Sequence, residues 1–367
     1  MSTLKLLKLM MLLSLVQSAQ GTEHEHATDT SQRVQLAIQN ESSWDGPTTG
    51  PALKQQRQII LVASDLRNGG VNAVAKGMSE ALTGTDWNLG FLDGMGSPLR
   101  QGIAIRKAIA ANPDGIVLCG LDANQHKDVL ALAKQRGITV VGWHAADQAG
   151  PRPESHLFTN ITTDPIKVAE IAALLAISDS AGQVRAVIFT DSRYQIAKLK
   201  AERMAAVLHD CKGCDVLEVK EVPLDQIADR MPDELETLMQ EYPQGITHLL
   251  VINDLYIDFA VPTLERRHEN DQPIPQTISA GDGSRASYRR IRQGLYQRAT
   301  VPEPLTMQGW QIVDELNRAF NQAPPSGYSA PVHLVTRDNI GKLGKRYDVY
   351  DPINRYRDAY RAIWSLQ

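Results

Sequence analysis

The amino-acid sequence predicts an α/β protein with two similar, doubly wound lobes, and three observations support this fold class. A buried apolar run at residues 59–62 ends in polar residues and two glycines, after which a helical pattern begins. Short apolar runs then alternate with amphipathic segments of helical length, as in parallel sheets covered by helices on both faces. This alternation occurs twice within 367 residues, a length that allows two domains with a core each.

The predicted elements of the first lobe follow the opening strand in order. Helical spacing of apolar residues predicts helices over residues 72–82, 101–111 and 124–135, and apolar runs predict strands over residues 87–92, 115–119 and 138–143. In an open parallel sheet the loops after the strands face the crevice where ligands bind. The loop after the first strand, SDLRNGG, is therefore expected to form one wall of a small-molecule cleft.

The second set of elements is of the same kind. Helices are predicted over residues 165–177, 194–208, 232–242 and 257–267, and strands over residues 184–190, 216–222, 248–253 and 276–280. A helix over residues 304–321, a linker and a short strand over residues 332–336 follow. Tyr356, Tyr360, Ile363 and Trp364 then have the spacing of a helix that docks on a lobe; a helix that binds a partner protein is the alternative.

The N-terminus indicates export. Lys5 and Lys8 precede an apolar run at residues 9–16, and small residues follow it. The run is shorter than the ~20 residues that span a bilayer, so a cleaved signal peptide is predicted at residues 1–21; an uncleaved membrane anchor is the alternative. Residues 22–56 are polar and rich in turn-forming residues, which predicts an extended and partly flexible leader.

Two of the three cysteines are close together, Cys211 and Cys214 in DCKGCD. In an exported protein this spacing favours a small structural disulfide. A redox or metal role is less favoured, because a catalytic pair places its first thiolate at a helix N-terminus and this pair follows a predicted helix. Free thiols are the remaining alternative.

Composition and motifs favour binding over catalysis. A formal net charge of −4 gives no general attraction to nucleic acid or to anionic membranes, so neither is an expected partner. The sequence has no GxGxxG, P-loop, GxSxG or HExxH motif, and its histidines lack the spacing of metal ligands. We therefore expect no enzyme activity, no cofactor and no bound metal.

Polar residues stand at the carboxyl ends of several predicted strands, where a doubly wound sheet exposes its crevice. The set comprises Asp65, Arg67, Asn68, Trp143, His144, Asn253, Asp254 and Asp282. Each one alone is equally well explained as a capping or turn residue. Several of them together indicate a ligand site.

Several segments resemble the type I periplasmic solute-binding proteins of ABC importers, in the sugar-binding branch that includes ribose- and galactose-binding proteins. The resemblance spans about residues 57–338 and rests on SDLRNGG, NPDGIVLCGLD, ITVVGWHAAD, SHLFTNITTD, LLVINDLYIDFA and ISAGDGSRASYRRIRQGLYQRATV. LacI-type regulator cores share this fold, but a repressor is disfavoured because the N-terminus has no basic helix-turn-helix.

The resemblance implies two Rossmann-like lobes joined by three crossover strands, with a ligand bound between them by hinge closure. Lobe 1 would comprise residues 57–160 and 304–325, lobe 2 residues 161–303 and 326–338, and a tail helix residues 339–367. By position, the resemblance implies ligand contacts for Asn68, His144, Lys198, Asn253, Asp282 and Glu303. Amides and carboxylates of this kind bind sugar hydroxyls in a fixed geometry.

The sequence also departs from the sugar-binding pattern. Gly70 and Val71 stand where aromatic rings usually stack on the sugar, and His144-Ala145 replaces an Asp-Arg pair. Losing the arginine removes a strong bidentate contact. Asp65 and Arg67 add charge, and Trp143 is expected either to stack on the ligand or to pack beneath the cleft. The expected ligand is therefore a sugar-like or modified polar solute rather than plain ribose or galactose.

The resemblance implies a monomeric, periplasmic substrate-binding component of an ABC transporter, which captures a solute and delivers it to an inner-membrane permease. The alternative with the same fold is a periplasmic sensor that presents its ligand-bound state to a sensor kinase or chemoreceptor.

Overall fold

A computed structural model describes residues 29–39, 43–342 and 349–366, so the predicted signal peptide at residues 1–21 lies outside the described part of the chain. No helix in these ranges is both long enough and apolar enough to cross a lipid bilayer.

Lobe 1 is built on a six-stranded sheet with the order β2-β1-β3-β4-β6-β5. Its strands are β1 (Gln58–Ala63), β2 (Asn88–Asp93), β3 (Gly115–Cys119), β4 (Thr139–Trp143), β5 (Gly150–Arg152) and β6 (Leu157–Ile161). All neighbours are parallel except β5, which runs antiparallel to β6. Helices α2 (Gly69–Ala81), α3 (Pro98–Ala110) and α4 (Lys127–Gln135) connect the parallel strands.

Lobe 2 repeats this design with the order β12-β11-β10-β9-β7-β8. Its strands are β7 (Val184–Thr190), β8 (Cys214–Glu221), β9 (His248–Val251), β10 (Gln276–Ser279), β11 (Ala299–Thr300) and β12 (Val335–Thr336). Its helices are α5 (Pro165–Asp179), α6 (Gln195–His209), α7 (Ile227–Glu241), α8 (Leu255–Glu269) and α9 (Arg285–Gln293). The two-lobe α/β fold class predicted from the sequence is confirmed.

The central strands are apolar because helices cover both faces of each sheet. Successive residues of a strand point to opposite faces: in β1, Leu61 belongs to one core with Met78 of α2, and Val62 belongs to the other core with Ile105 of α3. Every residue of β3 is buried. This two-sided burial explains why the sequence shows continuous apolar runs rather than alternation.

A long helix, α10 (Leu305–Phe320), follows the second lobe in sequence but packs on lobe 1 against α2. The two helices touch at glycines. A Cβ atom added at Gly309 would lie 2.5 Å from the backbone nitrogen of Met78, and one added at Gly77 would lie 2.6 Å from the carbonyl oxygen of Thr306. The close approach therefore depends on these two residues having no side chain.

Residues 22–28 and 40–42 of the predicted leader lie outside the described part of the chain, and the rest of it is more ordered than its sequence predicts. Residues 29–38 form a helix, α1, whose Val34 and Ala37 join the core of lobe 2. Residues 43–56 then lie on lobe 1, where the backbone nitrogen of Lys54 donates to Oδ1 of Asn317 at 2.9 Å. The leader thus contacts both lobes.

The C-terminal segment also contacts both lobes. Val349 and Tyr350 pack against lobe 2, and helix α11 (Tyr356–Ile363) is buried on lobe 1. The indole of Trp364 stacks on Trp310 with ring centroids 5.5 Å apart, and its Nε1 donates to Oδ1 of Asp314 at 2.8 Å. The tail helix packs on its own chain.

Candidate ligand-binding site

A cavity of about 90 Å³ lies between the lobes, at the carboxyl ends of the strands of both sheets. Lobe 1 contributes Ser64, Asp65, Asn68, Val71, Gly96, Gly120, Trp143 and His144, and lobe 2 contributes Tyr194, Ile196, Ala197, Lys200, Leu224, Ile252, Asn253, Leu255 and Asp282. The site therefore occupies the crevice where open α/β sheets bind ligands.

A chain of buried ionisable groups runs along the cavity. His144 follows β4, and its Nε2 lies 2.6 Å from Oε1 of Glu303, which sits on the crossover between β11 and α10. The Nδ1 atom of the same ring lies 3.9 Å from Oδ1 of Asp282, which follows β10. One imidazole thus joins the two lobes through two carboxylates.

Burial and charge act differently on these two carboxyl groups. Burial would raise the pKa of Glu303, but the charge and hydrogen bond of His144, the charge of Lys200 and the N–H of Thr163 together lower it to about 2. Burial raises the pKa of Asp282, and the charges of His144 and Lys200 oppose this only in part. Glu303 is therefore the fixed anion of the site, and Asp282 is the carboxyl group that is more easily protonated.

Hydrogen bonds hold Glu303 and Trp143 in place. Oε2 of Glu303 accepts from Nε2 of Gln308 at 2.6 Å and from the backbone nitrogen of Thr163 at 2.9 Å. Oε1 of the same glutamine accepts from Nε1 of Trp143 at 2.7 Å. Trp143 also stacks on His144 with ring centroids 3.9 Å apart. The indole is 1% exposed, supports the imidazole and contributes to the cavity wall, and its stacking on a ligand stays a prediction.

On the lobe 2 side, Asn253 fixes Asp282. Its Nδ2 donates to Oδ2 of Asp282 at 2.7 Å, and its Oδ1 accepts from the backbone nitrogen of Leu255 at the start of α8. Asp254, the neighbouring polar residue, instead accepts from the backbone nitrogens of Gly283 and Ser284. Asn253 lines the cavity, and Asp254 shapes the loop behind it.

Several polar side chains of the loop after β1 form hydrogen bonds and an ion pair within that loop. Asn68 is the N-cap of α2, with Oδ1 accepting from the backbone nitrogens of Gly70 and Val71. Arg67 is 74% exposed and pairs with Asp65, its Nη2 lying 2.6 Å from Oδ2. Asp65 and Asn68 line the cavity between the lobes, but Arg67 lines a separate groove beside α2. The expectation that Arg67 faces the ligand is therefore not met in this conformation.

The lysine of α6 that faces the cleft is Lys200, not Lys198. The Lys198 side chain is 50% exposed and its Nζ lies 3.9 Å from Oε1 of Glu202. Lys200 is 3% exposed, lines the cavity and donates to the carbonyl oxygen of Ala280 at 2.7 Å. Two residues correspond to about 200° of rotation around an α-helix, so the two lysines point in nearly opposite directions. Aligning the family pattern by sequence alone placed the charge two residues too early.

The lobes are in direct contact across the cleft. The backbone nitrogen of Gln195 donates to Oδ2 of Asp122 at 3.2 Å. On the other side, a Cβ atom at Gly70 would lie 2.5 Å from Oδ2 of Asp282. The closed arrangement therefore leaves no room for an aromatic ring at residue 70, where sugar binders usually carry one.

Sequence reasoning missed the apolar part of the cavity wall. Tyr194, Ile196 and Ala197 lie in and just before the first turn of α6, Leu224 follows β8, and Leu255 begins α8. Each of these positions follows the carboxyl end of a strand, so position in the fold was the available signal.

His144, Asp282 and Glu303 also offer a set of oxygen and nitrogen atoms within 4.8 Å of one another, which a divalent cation could use. However, the closest pair, His144 Nε2 and Glu303 Oε1, is already hydrogen-bonded, and Lys200 adds positive charge beside the group. We interpret the cluster as a network of buried polar groups that hold one another in place.

None of the three cysteines is among the residues that line the cavity. Cys211 and Cys214 form a disulfide at the turn between α6 and β8. Cys119 is a buried free thiol at the end of β3.

Residues 37–323 match the family model described as a periplasmic binding protein domain. The chain belongs to this family. A comparison with curated proteins finds no match. Among solved structures, this periplasmic binding protein is similar in fold to an ABC transporter solute-binding protein from Bacillus halodurans with bound myo-inositol, at 17% identity and a TM-score of 0.64 over 78% of this chain and 97% of that one.

Two further solved structures share the fold. One is an ABC transporter solute-binding protein from Burkholderia graminis in complex with D-arabinose, at 16% identity and a TM-score of 0.69 over 79% of this chain and 99% of that one. The other is described as a sugar ABC transporter from Yersinia enterocolitica, at 14% identity and a TM-score of 0.69 over 86% and 100% of the two chains. These similarities establish the two-lobe fold of the periplasmic binding protein, whereas its ligand has to be inferred from its own residues.

Proposed function

We propose that this periplasmic binding protein is the solute-binding component of an ABC importer. It captures a small polar solute between its lobes, closes by a hinge motion and delivers the solute to a permease in the inner membrane. It acts as a monomer in the periplasm, to which the predicted signal peptide directs it, and it carries out no chemical step.

The cavity between the lobes is the observation that carries this proposal. The cavity lies at the strand ends of both sheets, and residues of both lobes line it. A ligand there contacts both halves at once, so its binding energy favours the closed arrangement over the open one. The family match and the solute-binding neighbours support the same function.

Distances between spin labels test capture by closure. One label at Lys127→Cys and one at Ser192→Cys place probes on exposed residues of the two lobes. Pulsed electron resonance should show this distance shorten and narrow when bound solute is present, compared with protein stripped of ligand by unfolding and refolding. A control pair at Lys107→Cys and Lys127→Cys lies within lobe 1 and should not change.

Mass spectrometry of the gently purified protein should identify the solute, because closed binding proteins retain ligand. A protein that carries no small molecule, gains no thermal stability from any compound in a broad metabolite library and shows one fixed interlobe distance would contradict the proposed function.

A further inference from the structure

The hydrogen-bonding groups that the cavity leaves for a ligand are mostly donors. The acceptor oxygen of Asn68 is used by the cap of α2, and the acceptor oxygen of Asn253 is used by the backbone of Leu255. Both carboxylate oxygens of Asp65 accept from Arg67. The Nδ2 atom of Asn68 has no partner among the described residues, and Asn253 retains one N–H. Oδ1 of Asp282 remains as an acceptor, but the unused N–H groups of Asn68, Asn253 and Lys200 outnumber it.

Lys200 is the charged donor among these groups. An ammonium group has three N–H bonds, and within the described ranges its single hydrogen-bond acceptor is the carbonyl oxygen of Ala280. No described carboxylate forms an ion pair with it, although Asp282 and Glu303 are close enough to sense its charge. A buried cation without an anionic partner is costly. Lys200 is one of the residues that line the cavity, where a ligand can supply the acceptors that it lacks.

Helix termini add positive potential at the same place. Helices α2, α6 and α8 all begin beside the cavity, which Val71, Ala197 and Leu255 line from their first turns. The N-terminus of a helix carries a partial positive charge that favours anions. The His144 ring lies between the two carboxyl groups nearby, and burial raises the pKa of the carboxyl group of Asp282.

The rest of the wall is apolar. Ile196, Leu224, Ile252 and Leu255 of lobe 2 face Val71 and Trp143 of lobe 1. A sugar that presents hydroxyl groups to such a wall would lose hydrogen bonds to water without replacement, which costs affinity. The cavity of about 90 Å³ is also small compared with ligand pockets of roughly 300–1,000 Å³.

We infer that the cleft binds a small organic acid, whose carboxylate pairs with Lys200 and whose apolar part lies against lobe 2. This inference rests on the proposed function, since it names the class of solute that the same cleft captures. It separates this protein from the neighbours whose bound ligands are the neutral polyol myo-inositol and the neutral sugar D-arabinose.

Matched pairs of ligands test the charge directly on the unchanged protein. Calorimetry and thermal shifts are measured with short-chain and aromatic acids and with their amides, such as isobutyrate and isobutyramide or benzoate and benzamide, beside D-arabinose and myo-inositol. At least one acid is expected to bind, and its amide to bind roughly 10- to 100-fold more weakly. An amide or neutral sugar that binds as tightly as the best acid would overturn the inference.

Three variants locate the charge. Lys200→Met keeps the length of the side chain without the ammonium and should lose the acid by a similar factor, whereas Lys200→Arg should retain part of the affinity. Lys107→Met, at an exposed site on α3, is the control for loss of one positive charge and should bind as the native protein does. Loss of binding in Lys198→Met with Lys200→Met unaffected would also overturn the inference. If Lys200→Met does not fold, the acid–amide comparison decides.

The molecule that co-purifies with the protein separates this inference from the proposed function. A bound acid supports both. A bound neutral molecule contradicts the organic acid and leaves solute capture intact. No bound molecule, together with no binding across the panel and the metabolite library, contradicts both.

Discussion

The Nε2 atom of His144 lies 2.6 Å from Oε1 of Glu303, and both side chains are buried. His144 belongs to the loop after β4 in lobe 1, and Glu303 belongs to the crossover between β11 of lobe 2 and α10. The pair therefore connects the two lobes. Replacing Glu303 by Ala should lower the free energy of unfolding by about 3–5 kcal/mol at pH 7, because it leaves a buried partner unpaired. Urea denaturation measures this loss, and Glu154→Gln at an exposed site is the control.

The same pair makes a pH prediction for Glu303→Gln. Glu303 has a pKa of about 2 in the folded protein and an ordinary value of 4.5. Its contribution to stability is present above pH 4.5 and is lost as the pH falls toward 2. The difference in unfolding free energy between the native protein and Glu303→Gln should therefore shrink over this range. A difference that stays constant would show that Glu303 gains nothing from ionisation.

Ligand affinity should depend on the groups that line the cavity rather than on those that only precede it in sequence. Asn253→Ala removes one end of a 2.7 Å hydrogen bond and should weaken binding of the co-purifying ligand by about 1–3 kcal/mol. Arg67→Ala is the contrasting variant, since Arg67 lines a different groove, and its affinity should change little. Calorimetry that gives the reverse order would return Arg67 to the site.

Two buried residues should affect the pH dependence of stability in opposite directions. Burial raises the pKa of Glu315 from 4.5 to about 7, so the folded state holds a proton that the unfolded state releases, and stability falls as the pH rises from 4.5 to 7. Burial lowers the pKa of His333 from 6.5 to about 4, so stability falls as the pH drops from 6.5 to 4.

Single variants should separate these two effects. As the pH rises from 4.5 to 7, the free energy of unfolding of Glu315→Gln should increase by up to about 3 kcal/mol relative to that of the native protein. The free energy of unfolding of His333→Phe should increase by a similar amount, relative to the native protein, as the pH falls from 6.5 to 4. Chemical denaturation at each pH measures both. Parallel curves for native protein and variant would contradict the assigned titration.

Thiol titration should distinguish the three cysteines. Cys211 and Cys214 are bonded to each other, and Cys119 is buried with a pKa raised by desolvation and by the charge of Asp282. We expect no reactive thiol in the folded protein, one after denaturation and three after denaturation with a reductant. Three thiols without a reductant would contradict the disulfide.

Local patterns in the sequence predicted most of the alternating strands and helices, but not α9 (Arg285–Gln293). They were weaker wherever an element was short or began unexpectedly. Strand β5 (Gly150–Arg152) was not predicted, and α7 begins at Ile227 although a helix was expected to start at Pro232. Helix α1 was also missed, because only a few apolar residues mark the face that it buries on lobe 2.

The sequence by itself determined the fold class, the crevice at the strand ends and most of its polar residues, because hydrophobic periodicity and strand-end polarity are local properties. Only the tertiary structure decided which of those residues face the cavity and which side chains they contact. The rotation of α6 turned Lys200 rather than Lys198 toward the cleft. Contacts between distant residues joined His144 to Glu303 and closed Asp282 against Gly70. The spacing of residues along the chain specifies neither the rotation of a helix about its axis nor the distance between two lobes.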